Sequence, residues 1–245
     1  MLRPMTELLG AAYSPWTERA RFALEVRGVA YDFKPYAAMV GELGLRRKLG
    51  RWRGRVSVPV LTTEAGIIDD SVAIAHWANA QGTGVNLFPA GVEPWIARSE
   101  VALEAGRALS LDRMLRDDAA AAEMVPRSLR RILGPLAGKL GHLGIARTRR
   151  KYGAHTVGTE EHGRVLDEVL GELRAGLGGR ETILPAFSFA DITMAQVVAY
   201  VWPPAFGLRL GKASRVAFAG DARRHRYADL VAWRDALYEK YRPRR

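Results

Sequence analysis

Val58-Pro59-Val60-Leu61-Thr62-Thr63-Glu64-Ala65-Gly66-Ile67-Ile68-Asp69-Asp70-Ser71 is the stretch whose reading decides the fold. Val58 to Leu61 is β-branched and apolar, Glu64-Ala65-Gly66 is a turn, and Gly66 to Asp69 is a second short strand, so the two strands form a hairpin. Ser71 then opens a helix through Val72, Ile74, Ala75, Trp77 and Ala78. Pro59 is the unusual residue, because proline donates no backbone bond and is unwelcome inside a sheet. It is either a trans proline on an edge strand or part of a cis peptide that turns the Val58 backbone outward. In the second case Val58 offers its N–H and C=O to an extended peptide ligand. Asp70-Ser71 also has two readings. It is a plain helix start, or a pair that holds an α-amino-acid head, with Asp70 on the ammonium and the Ser71 hydroxyl and amide on the carboxylate.

Upstream, Thr6 to Ala12 is short, apolar and small, as a buried strand is. Ser14-Pro15-Trp16-Thr17 follows. Glu18 to Arg27 carries Phe22, Ala23 and Val26 at helical spacing, and Gly28 ends that helix. Val29 to Lys34 alternates as a strand does, Pro35 closes it, and Met39 to Leu49 reads as a short helix. The order is therefore strand, helix, strand, helix, strand, strand, helix. Ser14 between a strand and a helix is either an N-cap with Pro15 at the first helical position, or a hydroxyl presented beside the positive helix end. That end suits an anion such as a thiolate.

Downstream, Gln81 to Glu93 holds glycines, Asn86 and Pro89 and reads as a linker. Almost everything beyond it is helical. Trp95 to Arg116 is one long segment, and Glu123 to about Arg149 is another, interrupted at Gly134-Pro135. Thr159 caps a helix with the stripe Val165, Leu166, Val169, Leu170, Leu173, Leu177, closed by Gly178-Gly179. Phe187-Ser188-Phe189-Ala190-Asp191-Ile192 is a capping box with Phe187 and Ile192 as its hydrophobic staple. Tyr227 to Tyr241 is a last helix, and there are no internal repeats. The expected fold is an α/β thioredoxin-like domain over residues 1–82, a linker over 83–92, and an all-α helical bundle over 93–245.

Composition narrows the chemistry. The 245 residues contain no cysteine, so disulfides, zinc–thiolate sites and iron–sulfur clusters are excluded. Any thiol must come with a ligand. The five histidines show no ligand spacing, and no metal is assigned. Met1 to Glu7 lacks the apolar core of a secretory signal, and no apolar run approaches the roughly 18–20 residues that span a bilayer. A cytoplasmic protein without membrane attachment is expected. The net charge is +11. Its densest clusters are Arg46-Arg47-Lys48, Arg51 to Arg55, Arg147 to Lys151, Arg223 to Arg226 and Arg242 to Arg245. They are scattered and lack a repeated basic–aromatic pattern, which argues for solvated faces and against a nucleic-acid interface. Positive potential also attracts small anions.

Taken together, Ser14-Pro15, Val58-Pro59 and Asp70-Ser71, in this order and spacing, resemble the cytosolic glutathione transferase superfamily. The nearest pattern is its serine-type subset, tau-like proteins and related bacterial ones. The run Ser14-Pro15-Trp16-Thr17-Glu18-Arg19-Ala20-Arg21-Phe22-Ala23-Leu24, then Gly28, is similar to that subset's first helix, and Phe88-Pro89 matches its linker step. The resemblance covers nearly the whole chain. It implies glutathione as co-substrate, a hydrophobic electrophile as second substrate, and a homodimer. It implies that Ser14 donates a hydrogen bond to the glutathione sulfur, Val58 and Pro59 meet the cysteinyl backbone, and Asp70 and Ser71 hold the γ-glutamyl head. Ser188 and Asp191 take a structural role. Because cysteine is absent, mixed-disulfide and thiol-transfer chemistry is closed, which leaves conjugation, isomerisation, dehalogenation, ether cleavage or peroxide reduction by the bound thiol.

The sequence also departs from that family. Its usual Gly-Lys before the valine–proline step is Gly54-Arg55 here, followed by the extra Val56-Ser57, which leaves open whether Arg55 meets the glycine carboxylate of glutathione. Thr17 is a second candidate for the thiol-facing residue. Tyr13 is a third, expected to pack at the domain face. Trp16, Leu111, Met114, Trp202 and Phe206 are expected to line the electrophile pocket between the domains. The rival reading is a non-catalytic member that keeps the fold for binding or as a scaffold, contacting a nucleic-acid assembly through its basic surface.

Overall fold

The computed structural model describes residues 6–38 and 41–244. Met1–Met5, the expected helix start at Met39, and Arg245 lie outside the described residues. The strands are β1 (Glu7–Gly10), β2 (Asp32–Pro35), β3 (Val60–Thr63) and β4 (Gly66–Ile68). They form one sheet in the order β2-β1-β3-β4. β1 runs parallel to β2, and the β1–β3 and β3–β4 pairs are antiparallel, with Leu8 opposite Phe33 and Leu61, and Leu61 opposite Ile68. Helices α1 (Pro15–Val26), α2 (Glu42–Leu49) and α3 (Ser71–Gln81) complete this part. The parallel pair needs a crossover, and α1 supplies it. α1 packs on α3, and Leu8, Ala20, Leu24, Leu61, Ile74 and Ala78 share one core beneath the sheet.

Several boundaries differ from those expected, each for a local reason. β2 starts at Asp32 and not Val29, because Val29 closes α1. Its N–H donates to the Leu24 carbonyl (2.9 Å) and that of Gly28 to the Glu25 carbonyl (3.1 Å). Gly28, at φ 68°, supplies the left-handed residue this Schellman closure needs. The N-cap of α3 is Asp70, whose carboxylate accepts from the Val72 and Ala73 N–H groups, and Ser71 is the first helical residue.

The remainder is helical: α4 (Glu93–Met114), α5 (Asp118–Glu123), α6 (Arg127–Leu133), α7 (Leu136–Lys151), α8 (Thr159–Leu177), α9 (Phe189–Val198), α10 (Lys212–Phe218), α11 (Asp221–Arg226) and α12 (Ala228–Tyr241). The segment expected over 123–149 is broken at Pro126 as well as at Gly134-Pro135. Gly158 is the N-cap of α8, with Thr159 its first residue. The α8 stripe Leu166, Val169, Leu170, Leu173 and Leu177 packs with Ala102, Leu103 and Leu109 of α4 and with α9 in the main helical core. α9 is buried along its whole length, and its capping box is present. Asp191 Oδ1 accepts from the Ile183 N–H (2.8 Å) and Oδ2 from the Ser188 N–H (2.9 Å).

Two of the contacts that join the sheet part to the helices run through Phe88 and Arg19. Phe88, in the connecting segment, stacks between His76 of α3 and Phe189 of α9. Arg19 of α1, with no exposed surface, is the second. Its guanidinium donates to the Ser71 hydroxyl of α3 (2.7 and 3.0 Å), to the Thr193 hydroxyl of α9 (3.1 Å), and to Glu100 of α4. Solvated faces do not account for all of the arginine. Arg234 is also fully buried, and Arg242 (4% exposed) pairs with the buried Glu18 and Glu25 of α1.

Removing Arg19 strands the buried Ser71 hydroxyl and takes one partner from Glu100, while the Thr193 hydroxyl keeps its bond to Ser99. Glu100 is 40% exposed and can be solvated, so the cost falls at the low end for a broken buried pair, about 3 kcal/mol. Arg19→Ala is expected to unfold roughly 10 °C lower in a calorimetric scan; an unchanged Tm would show that the network does not tie the layers together. Asp191→Asn replaces one acceptor oxygen by a donor and leaves a buried N–H unmet, an expected loss of about 1–3 kcal/mol in urea unfolding at pH 7.5. Burial pushes the Asp191 carboxyl up to about 6, from 3.8, against the pull of its hydrogen bonds. Between these values the folded state holds more protons than the unfolded one, so the wild-type protein gains from this group as pH falls. The gap to the uncharged variant therefore widens at pH 5, and a constant gap would contradict this assignment.

Candidate functional site

A cleft of about 300 Å³ lies between the sheet part and the helices. Tyr13, Ser14, Trp16, Arg55, Val58 and Asp70 line one side, and Glu100, Glu104, Arg107, Leu111 and Met114 of α4, with Tyr152 after α7, line the other. The three sequence motifs therefore meet in one space, although they are spread over almost sixty residues of chain.

Ser14 is the N-cap of α1 by its backbone, at φ −89° and ψ 126°, but its side chain makes no capping bond. Its carbonyl accepts from the Glu18 N–H and its N–H donates to the Ala11 carbonyl, both at 2.9 Å. Pro15 occupies the first helical position and brings no N–H to be capped. The hydroxyl is thus left at the cleft, beside the positive end of a twelve-residue helix.

Thr17 does not reach the cleft. It is 1% exposed, and its methyl and hydroxyl lie against Gly10 of β1, where a Cβ would come within 2.4 and 3.0 Å of them. Ser14 has extended backbone as the N-cap, so its side chain does not follow the helical spacing that places Thr17 against the sheet. Tyr13 is half-buried on the cleft wall. Burial above all, then the neighbouring Tyr152 and Tyr36, pushes its hydroxyl up to about 12. It stays protonated, so it can donate a hydrogen bond and cannot act as a base at neutral pH.

The Val58–Pro59 peptide is cis, which decides between the two readings of that proline. Val58 lines the cleft two residues before β3 begins. Asp70 is exposed there, and a single oxygen, Oδ1, accepts both capping bonds (2.8 and 2.9 Å). Oδ2 is left for a cation. Ser71 departs from the expected geometry. It is 2% exposed, is not part of the cleft lining, and its hydroxyl accepts from Arg19. Arg55 is exposed at the cleft, its guanidinium 5.3 Å from the Tyr152 ring.

Of the five pocket residues expected from sequence, Trp16, Leu111 and Met114 line the cleft. Trp16 Nε1 donates to Glu100 (3.1 Å), the same carboxylate that Arg19 holds. Trp202 and Phe206 lie elsewhere. Trp202 sits under Arg224, and Phe206 packs edge-on against the buried Tyr238. The sequence reading missed Glu100, Glu104, Arg107 and Tyr152. The first three were legible: residues 100, 104, 107, 111 and 114 recur at helical spacing, so the face carrying Leu111 and Met114 continues back through them.

Residues 13–81 match the family model described as glutathione S-transferase, N-terminal domain. No curated protein matches the chain in sequence. Among solved structures, the chain is similar to a glutathione S-transferase from Methylobacillus flagellatus KT with glutathione bound, at 16% identity and a TM-score of 0.62, covering 96% of this chain and 95% of that one. It is similar to one from Methylobacterium radiotolerans JCM 2831 in complex with glutathione sulfonate, at 20% identity and a TM-score of 0.59, covering 97% and 91%. It is also similar to the tau class enzyme of mango, Mangifera indica, at 18% identity and a TM-score of 0.56, covering 99% and 94%. Residues 13–81 therefore match a glutathione S-transferase N-terminal domain, and the chain has, over its length, the fold of these glutathione S-transferase structures.

Proposed function

We propose that the protein is a glutathione transferase in which the Ser14 hydroxyl stabilises the thiolate of bound glutathione for attack on an apolar electrophile. One observation carries this reading: the Ser14 hydroxyl lies uncapped at the cleft, at the start of α1, on the same wall as Val58 and Asp70. In this reading Val58 pairs with the cysteinyl backbone of glutathione, next to Pro59. Asp70 Oδ2 takes the ammonium of the γ-glutamyl head. The carboxylate of that head meets the backbone of Ser71 in the first turn of α3, since the Ser71 side chain is held by Arg19. Arg55 faces the glycine carboxylate.

The hydroxyl stays protonated and donates to the sulfur. A hundredfold enrichment of thiolate needs about 2.7 kcal/mol. A hydrogen bond to a charged acceptor gives about 1.5–3 kcal/mol, and a helix terminus adds about 0.3–1 kcal/mol. The two together reach the requirement without a base. The sulfur then uses its lone pair to form a bond to the electrophilic carbon as the leaving group departs with the bonding pair.

Glutathione at about 5 mM is expected to raise the Tm in a thermal-shift titration, and no stabilisation would overturn the reading. In Ser14→Ala, glutathione affinity is expected to change by no more than about threefold, while the rate of conjugation to 1-chloro-2,4-dinitrobenzene at pH 6.5 falls roughly ten- to a hundredfold. A donor to an anion lowers the pKa of its acid, so its removal shifts the pH–rate midpoint upward. Tyr13→Phe is expected to leave the midpoint in place, since in this reading the donor to the sulfur is Ser14. If the midpoint moves in Tyr13→Phe and not in Ser14→Ala, the thiol-facing role belongs to Tyr13.

A further inference from the structure

The helical wall of the cleft carries a cation that the glutathione mode above does not use. The Arg107 guanidinium of α4 lies 4.5 Å from the ring centre of Trp16 and 3.9 Å from that of Tyr152. Two aromatic faces thus hold one planar cation in place, with its donors at the cleft. It is poorly neutralised. Among the described residues its ion-pair partner is Glu104, at 3.5 Å, and Glu104 is 59% exposed. Arg107 Nε is buried with no hydrogen-bond partner. Arg55, and Lys151 with its Nζ 5.7 Å from the Tyr152 ring, stand near the same ring. Burial, and then Arg46, Arg147 and Arg55 against the opposing pull of Glu42, hold the Lys151 ammonium below its ordinary pKa. Arg55, Arg107 and Lys151 thus share one corner of the cleft, around the Tyr152 ring. An apolar floor of Leu111, Met114, Met124 and Ile145 adjoins it.

The groups assigned to glutathione (Ser14, Arg55, Val58, Asp70, Ser71) come from the sheet part, whereas Arg107 and Lys151 come from the helices. We infer that the second substrate is an amphiphilic anion, an aromatic or aliphatic electrophile bearing a carboxylate, whose carboxylate is held by Arg107 between Trp16 and Tyr152 while its apolar body rests on the floor. This inference rests on the glutathione reading and adds the substrate class. A neutral electrophile would leave the Arg107 donors unmet in a half-closed site, so the site selects for charge as well as for apolar surface.

The test uses two stable probes on the intact protein, S-(4-carboxy-2-nitrophenyl)glutathione and its aryl methyl ester. They share the glutathione moiety and differ in one charge. Calorimetric titration is expected to show the acid binding about tenfold or more tighter than the ester, with the ratio falling as NaCl rises from 0.05 to 0.5 M. Arg107→Gln is expected to bring the ratio to near one, and Arg107→Lys to restore part of it. Equal affinities in the wild-type protein, or a ratio that survives in Arg107→Gln, would overturn the inference. Glutathione alone separates the two levels. If glutathione binds and the probes do not differ, the substrate class falls and the transferase reading stands; if glutathione fails to bind, both fall.

Discussion

The buried guanidinium of Arg19 is the interaction on which the rest of this molecule depends. It stands one turn beyond Ser14 on α1 and donates to α3, α9 and α4 together. A charge with no exposed surface is tolerated only where its donors are met and a counter-charge is near. Meeting those donors requires the sheet part and the helical part to sit in one relative position. Glu100, which answers Arg19, also holds the indole of Trp16. The charge that joins the layers therefore also sets the cleft wall beside Ser14.

The cleft is polar and electrostatically divided on the sheet side, and apolar below a cationic rim on the helical side. The sheet side presents a hydroxyl at a helix start, an acid and a strand end. The helical side presents Arg107 clasped by two rings above a floor of aliphatic and thioether side chains. The division follows from the architecture. Helix N-termini and the ends of short strands bring main-chain polarity to one wall, and a long buried helix brings only the side chains on one of its faces to the other.

Much of the fold was legible because its signals are local. The hairpin, the Gly28 closure of α1, the α8 stripe and the Ser188–Asp191 box each need only neighbouring residues. Candidate residues were harder to place in proportion to how much depended on orientation. Ser14 and Thr17 are both hydroxyls in the same tetrapeptide, yet one faces the cleft and the other Gly10. Asp70 and Ser71 are adjacent, yet Asp70 caps while Ser71 faces Arg19. Trp202 and Phe206 suit a pocket by type, but they lie on a segment whose course depends on how α9 and α12 pack.

By itself, the sequence determined the order of elements, the motif residues and the closure of cysteine chemistry, because these depend on residue identity and short-range spacing. It also contained the α4 face that carries Arg107, Leu111 and Met114. The tertiary structure alone decided that Val58–Pro59 is cis, that the Ser14 hydroxyl is free of capping while that of Thr17 is buried, and that Arg107 lies between the rings of Trp16 and Tyr152. The physical reason is the same in each case. These features depend on which groups from distant parts of the chain compete for the same space and the same hydrogen bonds, and one-dimensional spacing carries no record of that competition.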